Sequence, residues 1–307
     1  MAVIYLAAGR TLWIRLRQRL RRRPDPSTRA RRRAGHAVLA VAVLGLGCVA
    51  WGFFVEPYRL TVTHTRFAST KVPHGTRPLR IVHLTDTHCD AEPRLEERLP
   101  DAVAAERPDL IVFTGDAINS TAGLPVFKRL MGRLSALAPT FAADGNWDVG
   151  VVPGQDLYGG TGVVRLDGSA THMTVAGVDV WVAGAAADRE DHAVDALLAV
   201  PAGALTLFLY HYPYPEVVPA RFRAVGGVDL MLAGHVHGGQ VALPFFGALM
   251  TLSRHGKKYE HGMYDVGPMR LFVSRGIGME GGQAPRVRFC APPELVVIEI
   301  GPSESDR

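Results

Sequence analysis

Five short apolar runs in this chain each end in residues able to hold a metal ion, and that recurrence constrains the fold more than any bulk property. RIVHLT (80–85) runs into Asp86-Thr87-His88, DLIVFT (109–114) into Gly115-Asp116, and TFAAD (140–144) into Gly145-Asn146-Trp147-Asp148. ALTLFLY (204–210) ends at His211, and VDLMLA (228–233) at Gly234-His235-Val236-His237. The runs have the composition of strands. Between them lie segments with apolar steps of three and four, the signature of amphipathic helices: EPRLEERLPDAVAAER (92–107), VFKRLMGRLSAL (126–137) and HAVDALLAV (192–200). MRLFVSR (269–275) and ELVVIEI (294–300) read as further strands. Strands alternating with helices predict an α/β domain with sheet buried on both faces.

Ligands of open α/β sheets gather at the carboxyl ends of the strands, so the five endings are expected to converge. Residues two apart in extended backbone face the same side, which predicts that Asp86 with His88, and His235 with His237, each grip one centre. The glycines before Asp116, Asn146 and His235 are expected to let the backbone turn sharply out of its strand. Seven side chains of this kind suit two divalent ions. Imidazole and carboxylate donors fit Mn, Fe, Zn or Ni. One carboxylate has to bridge if the ions are to sit about 3.5–4 Å apart, and the residual positive charge would attract a phosphate ester.

The order Asp-x-His, Gly-Asp, Gly-Asn-x-Asp, His and Gly-His-x-His resembles the calcineurin-like metallophosphoesterases. It looks most similar to their membrane-associated bacterial branch, through GHVHGGQ (234–240), KKYEHGMY (257–264), SRGIG (274–278) and CAPPE (290–294). The resemblance covers roughly residues 78–300. It implies a layered β-sandwich flanked by helices. It also implies that Asp86, His88 and His237 hold one metal, that Asn146, His211 and His235 hold the other, and that Asp116 bridges. A metal-bridging hydroxide would then attack a phosphodiester or pyrophosphate, lipid-linked or nucleotide-linked. Some related enzymes cleave the pyrophosphate of a lipid A precursor, but that nucleotide is cytoplasmic and conflicts with the extracytoplasmic domain expected below, so it is not the expected substrate.

Trp147 departs from the family, which has His at this place to assist the scissile phosphate or its leaving group. Indole is only a donor, so the departure favours activated esters, diesters or anhydrides. The rival reading is a non-catalytic metal-holding protein whose site has decayed at Trp147. Asp148 is expected either to orient a ligand or to cap a loop, and His83, inside a strand, is expected to be structural.

The remaining organisation is set by Gly35–Val55, 21 residues without Asp, Glu, Lys or Arg, long enough to cross a bilayer as a helix. Residues 1–33 hold eleven Arg against Asp25 alone, while residues 34–307 carry a net charge of −5. The basic flank predicts a cytoplasmic N-terminus and an extracytoplasmic catalytic domain. The acidic body argues against nucleic acid as a partner. The expected organisation is a basic segment (1–34), a transmembrane helix (35–55), a linker and lead-in strand (56–77), the phosphoesterase domain (78–302) and a tail (303–307). The basic segment reads either as a helix on the anionic leaflet or as a disordered tail. Cys48, Cys89 and Cys290 form no disulfide framework, and nothing fixes an oligomeric state. ALPFFGALM (242–250) reads most simply as buried packing, with a patch facing bilayer or acyl chains as the alternative.

Overall fold

The computed structural model describes residues 2–20, 29–282 and 285–303, in two compact units, Met1–Val55 and Glu56–Arg307. The first unit is a pair of helices, α1 (Ala2–Leu20) and α2 (Arg29–Phe54). Of the two readings of the basic segment, residues 2–20 therefore follow the helical one. Residues 21–28 of that segment, and 304–307 of the tail, lie outside the described residues. At 1.5 Å per residue, the 26 residues of α2 extend about 39 Å. Among the described residues it is the one helix long and apolar enough to cross a membrane.

The second unit runs β1 (Thr61–Ser69), β2 (Leu79–Leu84), α3 (Leu99–Glu106), β3 (Leu110–Phe113), α4 (Leu124–Ser135) and β4 (Thr140–Ala142). It continues with β5 (Val164–Arg165), β6 (Ser169–Val175), β7 (Val178–Gly184), α5 (Glu190–Leu198) and β8 (Leu205–Leu209). Next come α6 (Ala220–Ala224), β9 (Leu230–Ala233), β10 (Ala242–Leu243) and β11 (Gly247–Ala248). The chain closes with β12 (Gly262–Val266), β13 (Met269–Val273) and β14 (Glu294–Pro302).

Twelve of these strands form two six-stranded sheets, in the orders β1-β14-β2-β3-β4-β5 and β12-β13-β9-β8-β7-β6, and β10 pairs with β11 apart from them. Within the first sheet β2, β3, β4 and β5 are parallel and β14 runs against β2. In the second, β7, β8, β9 and β13 are parallel, with β6 and β12 antiparallel at the edges. Alternation along each strand divides the apolar residues between layers. Ile81, Val112, Ile298, Val180, Leu207 and Leu232 fill the space between the sheets. Leu84, Phe113 and Val297 face α3 and α4 through Leu99, Phe127 and Leu130. On the opposite outer face Phe208, Met231 and Leu271 meet Ala193 and Leu197 of α5. The result is helix–sheet–sheet–helix, with β3 and β4 of one sheet and β8 and β9 of the other buried along their whole length.

Two expectations change. The helix predicted over 92–107 begins only at Leu99, because Pro100 lies in its first turn, where a missing N–H costs nothing. Residues 91–98 form turns, with Glu96 accepting the Leu95 N–H at 2.9 Å. Second, ALPFFGALM is not interior packing. It forms the β10–β11 hairpin, whose tip residue Phe245 is fully exposed at φ +65°, with Phe246, Leu249 and Met250 also exposed.

Candidate metal centre

Asp86 and His88 follow β2, Asp116 follows β3 and Asn146 follows β4, all from the first sheet. His211 follows β8, and His235 and His237 follow β9, from the second. The carboxyl ends of parallel strands in both sheets thus meet at one locus. Five of the seven residues have left-handed backbone: Asp86 (φ +51°), His88 (+41°), Asp116 (+57°), His235 (+69°) and His237 (+51°). Such φ values are uncommon outside glycine, and clustered strain of this kind marks functional sites. It is sustained by backbone bonds between the loops, including Asp86 N–H to Gly115 O (2.8 Å) and His88 N–H to Asp116 O (3.0 Å).

The ligand atoms fall into two groups. Those of Asp86, His88 and His237 lie within 4.8 Å of one another, as do those of Asp116, His211 and His235. The spacing of two therefore works differently at its two occurrences. Asp86 and His88 share a group, whereas His235 and His237 divide between groups, and none of the four has the extended backbone on which the spacing argument relied.

Asp116 stands between the groups. Its Oδ2 is 3.5 Å from His88 Nε2 and 3.3 Å from His211 Nε2, while its Oδ1 accepts the Trp147 backbone N–H at 2.8 Å. His211 Nδ1 lies 2.7 Å from Thr114 O, so Nδ1 carries the proton and Nε2 is turned toward the centre. Burial works against a charged His211, but the Asp116 carboxylate outweighs it and holds the imidazole up to about 10. Burial dominates at His88 and His235, pushed down to about 3 and about 4. Both ring nitrogens of His88, His211 Nε2 and Asn146 Oδ1 are buried without a hydrogen-bond partner. Unpartnered buried polar atoms are expensive. Imidazoles, carboxylates and one amide oxygen converging in this way are a donor set for divalent metal ions.

The sequence profile of the calcineurin-like phosphoesterases matches residues 79–239, more than half of the chain. The chain belongs to this family. It is 29% identical over 282 residues to the uncharacterized metallophosphoesterase YkuE of Bacillus subtilis, covering 86% of this chain and 93% of that one. To the phosphodiesterase YaeI of Escherichia coli it is 28% identical over 289 residues, 88% and 99% of the two chains. To the UDP-2,3-diacylglucosamine pyrophosphatase LpxG of Chlamydia trachomatis it is 24% identical over 311 residues, 81% and 91%. The chain is accordingly a metal-dependent phosphoester hydrolase of a family that uses a dinuclear metal centre.

Around this phosphoesterase site, Asp148 ties two ligand loops together. Its Oδ2 accepts the N–H groups of Asp116 (2.9 Å) and Gly145 (2.8 Å), and its Oδ1 that of Ala117 (2.9 Å). Burial, then the charges of Asp116 and Asp144, push its carboxyl up to about 7. Trp147 is buried and meets the His88 ring edge-on, centroids 5.1 Å apart, with Gly281 and Gly282 against its six-membered ring. His83 is structural, as expected, with Nε2 2.8 Å from Thr114 Oγ1.

Only one of the three motif glycines acts by its torsion. Gly115 has φ +94°, but Gly145 and Gly234 are needed for close approach. A Cβ on Gly145 would lie 2.1 Å from Asp116 Oδ1, and one on Gly234 2.1 Å from Asp86 Oδ2.

Two residues near the centre carry no motif signal. Glu280 lines a cleft of about 710 Å³ together with His235 and His237. Burial raises its carboxyl above the usual range. Arg288 is completely buried behind His237, its Nη2 3.3 Å from Nδ1, and donates to the carbonyls of Gly278, Ala291 and Arg275. It thereby fixes the loop that backs Asp86. A lone Arg between apolar neighbours looks like any surface residue in the sequence; only the fold reveals its burial.

Proposed function

We propose that this chain is a membrane-anchored, dimetal phosphodiesterase or pyrophosphatase, in which Asp86, His88 and His237 hold one ion, Asn146, His211 and His235 the other, and Asp116 bridges. The observation that carries the reading is the placement of Asp116, with one oxygen facing both ligand groups and the other fixed by a backbone N–H. Two divalent ions, when bound, supply positive charge for the phosphate and lower the pKa of a water that attacks phosphorus. The chain's own residues do the positioning. Thr114 orients His211, Asp148 holds the Asp116 and Asn146 loops in register, and Trp147 walls the face of His88.

Indole at position 147 has no proton to offer an alkoxide as a histidine would, so this site suits diesters and anhydrides with stable leaving groups. In this reading the anchor is α2, and the arginines before it support an extracytoplasmic catalytic unit. LpxG's name describes a lipid-linked pyrophosphate substrate. The present reading takes from it only the class, a lipid-linked or nucleotide-linked phosphoester.

The test is Mn2+-dependent hydrolysis of bis-p-nitrophenyl phosphate by the full chain in detergent, beside Asp116→Asn. Activity reduced at least about 100-fold by the substitution is expected. Equal rates for the two proteins, with Mn2+ shown by calorimetry to be bound, would sink the catalytic reading and leave a metal-holding protein.

A further inference from the structure

The cleft beside the candidate metal centre has a mixed lining. His235, His237 and Glu280 line it together with an apolar wall of Val241, Leu249, Met250 and Leu252. Its volume of about 710 Å³ is that of a ligand site rather than a packing void. The apolar wall is continuous with the β10–β11 hairpin, where Leu243, Phe245, Phe246, Leu249, Met250 and Leu252 are all exposed. Soluble surfaces rarely collect so many large apolar side chains in one short segment. Lys257 borders the patch, its Nζ 3.7 Å from the Phe246 ring centroid, and Lys258 follows it, also exposed. Apolar side chains rimmed by lysine are the composition of a surface that meets anionic lipid.

We propose that this cleft receives an acyl chain, and that the substrate is a lipid whose phosphoester lies over the metal centre while its hydrocarbon lies along Val241, Leu249, Met250 and Leu252. The proposal rests on the dimetal reading above. Three observations on the molecule favour lipid over other occupants. The apolar wall shares its cavity with two of the metal-ligating histidines, so whatever fills it touches the reacting phosphate's neighbourhood. The hairpin tip, Phe245, projects completely into solvent, as an element that enters a bilayer interface would. Finally, α2 ends at Phe54 and the catalytic unit begins at Glu56, so a membrane-spanning α2 tethers this unit at a lipid surface.

The test is a chain-length series of p-nitrophenyl alkyl phosphates, from methyl to octyl, hydrolysed by the full chain with Mn2+ in one detergent. In each, water oxygen bonds to phosphorus as the aryl P–O bond breaks, p-nitrophenolate leaves, and the water's protons pass to solvent. The leaving group never changes, so the series reads only the alkyl chain. Each fully buried methylene is worth about a factor of four, and partial burial of seven more should raise kcat/KM by about 30-fold or more. In Leu249→Ser/Met250→Ser the octyl-to-methyl ratio should fall to about threefold or less. Partition into detergent is common to both proteins and cancels in that comparison. Hydrolysis of every ester with the same ratio in both proteins would overturn the acyl assignment alone. A flat profile with a concentration-dependent dimer that the double substitution dissolves would give the face to a second copy and equally overturn it. No hydrolysis above Asp116→Asn for any ester would instead bring down the dimetal reading, and this inference with it.

Discussion

Trp147 stands where the family resemblance calls for histidine, and its surroundings decide what the exchange means. The indole is buried against His88 and two glycines, while its backbone N–H holds Asp116. The indole replaces an acid by a wall, and the cost should appear only when the leaving group needs a proton. Trp147→His is therefore expected to change hydrolysis of bis-p-nitrophenyl phosphate by no more than about threefold, yet to speed a dialkyl diester by about 100-fold, the lower end of what a general acid contributes. Loss on both substrates would show that the wall itself is needed. At this scale much was legible in the chain. Asp86, His88, Asp116, Asn146, His211, His235 and His237 announce themselves by closing apolar runs. Their grouping was not legible from the spacing of two, which pairs His235 with His237, but the family resemblance divides the two as the ligand groups do. Glu280 and Arg288 were invisible for the opposite reason, since neither follows a strand.

Among the elements, the loops that close β3, β4 and β9 work by backbone-to-side-chain contact. The turn after β9 brings Gly234 so near Asp86 that a methyl group would meet Oδ2 at 2.1 Å and Thr85 Oγ1 at 2.3 Å. Gly234→Ala should consequently displace Asp86 and weaken Mn2+ binding by about 10–100-fold, the usual penalty for disturbing the support of a ligand. Titration calorimetry reads that loss, with circular dichroism confirming the fold. Gly132→Ala is the control. That glycine lies within α4 with nothing within 4 Å of a built Cβ, so the change should leave affinity alone and stabilise by about 0.5–1 kcal/mol. Unaltered affinity in Gly234→Ala would mean that the close approach does not position the carboxylate. The buried strands of both sheets were readable as apolar runs. Edge strands β6 and β12 were not, since their partly exposed sequences, SATHMTV and GMYDV, match polar connections. The β10–β11 hairpin was misread on the same principle reversed: an apolar run carries no label saying whether protein or lipid will cover it.

For the molecule as a whole, charge and hydropathy divide along the chain in the way the proposed extracytoplasmic placement requires. Eleven arginines precede Arg33's successor Ala34, while the 34–307 body is net negative. Moving the N-terminal arginines across a bilayer opposes both their affinity for the anionic cytoplasmic leaflet and the membrane potential. The helix between them, α2, has only Ala42 and Gly52 buried, so most of its apolar surface is uncovered, as the proposed anchor requires. An enzyme reporter that is active only outside the cytoplasm, fused after Arg307, is expected to be active, and a fluorescent reporter that matures only inside is expected to stay dark. Replacing Arg31, Arg32 and Arg33 with Glu should weaken that bias and give a mixed population, because the three lie closest to the span. The opposite reporter pattern in the unaltered chain would place the catalytic unit in the cytoplasm. It would thereby open nucleotide-linked lipids as substrates for the same acyl cleft, since the chemistry of Leu249 and Met250 beside His235 and His237 does not depend on which leaflet they face.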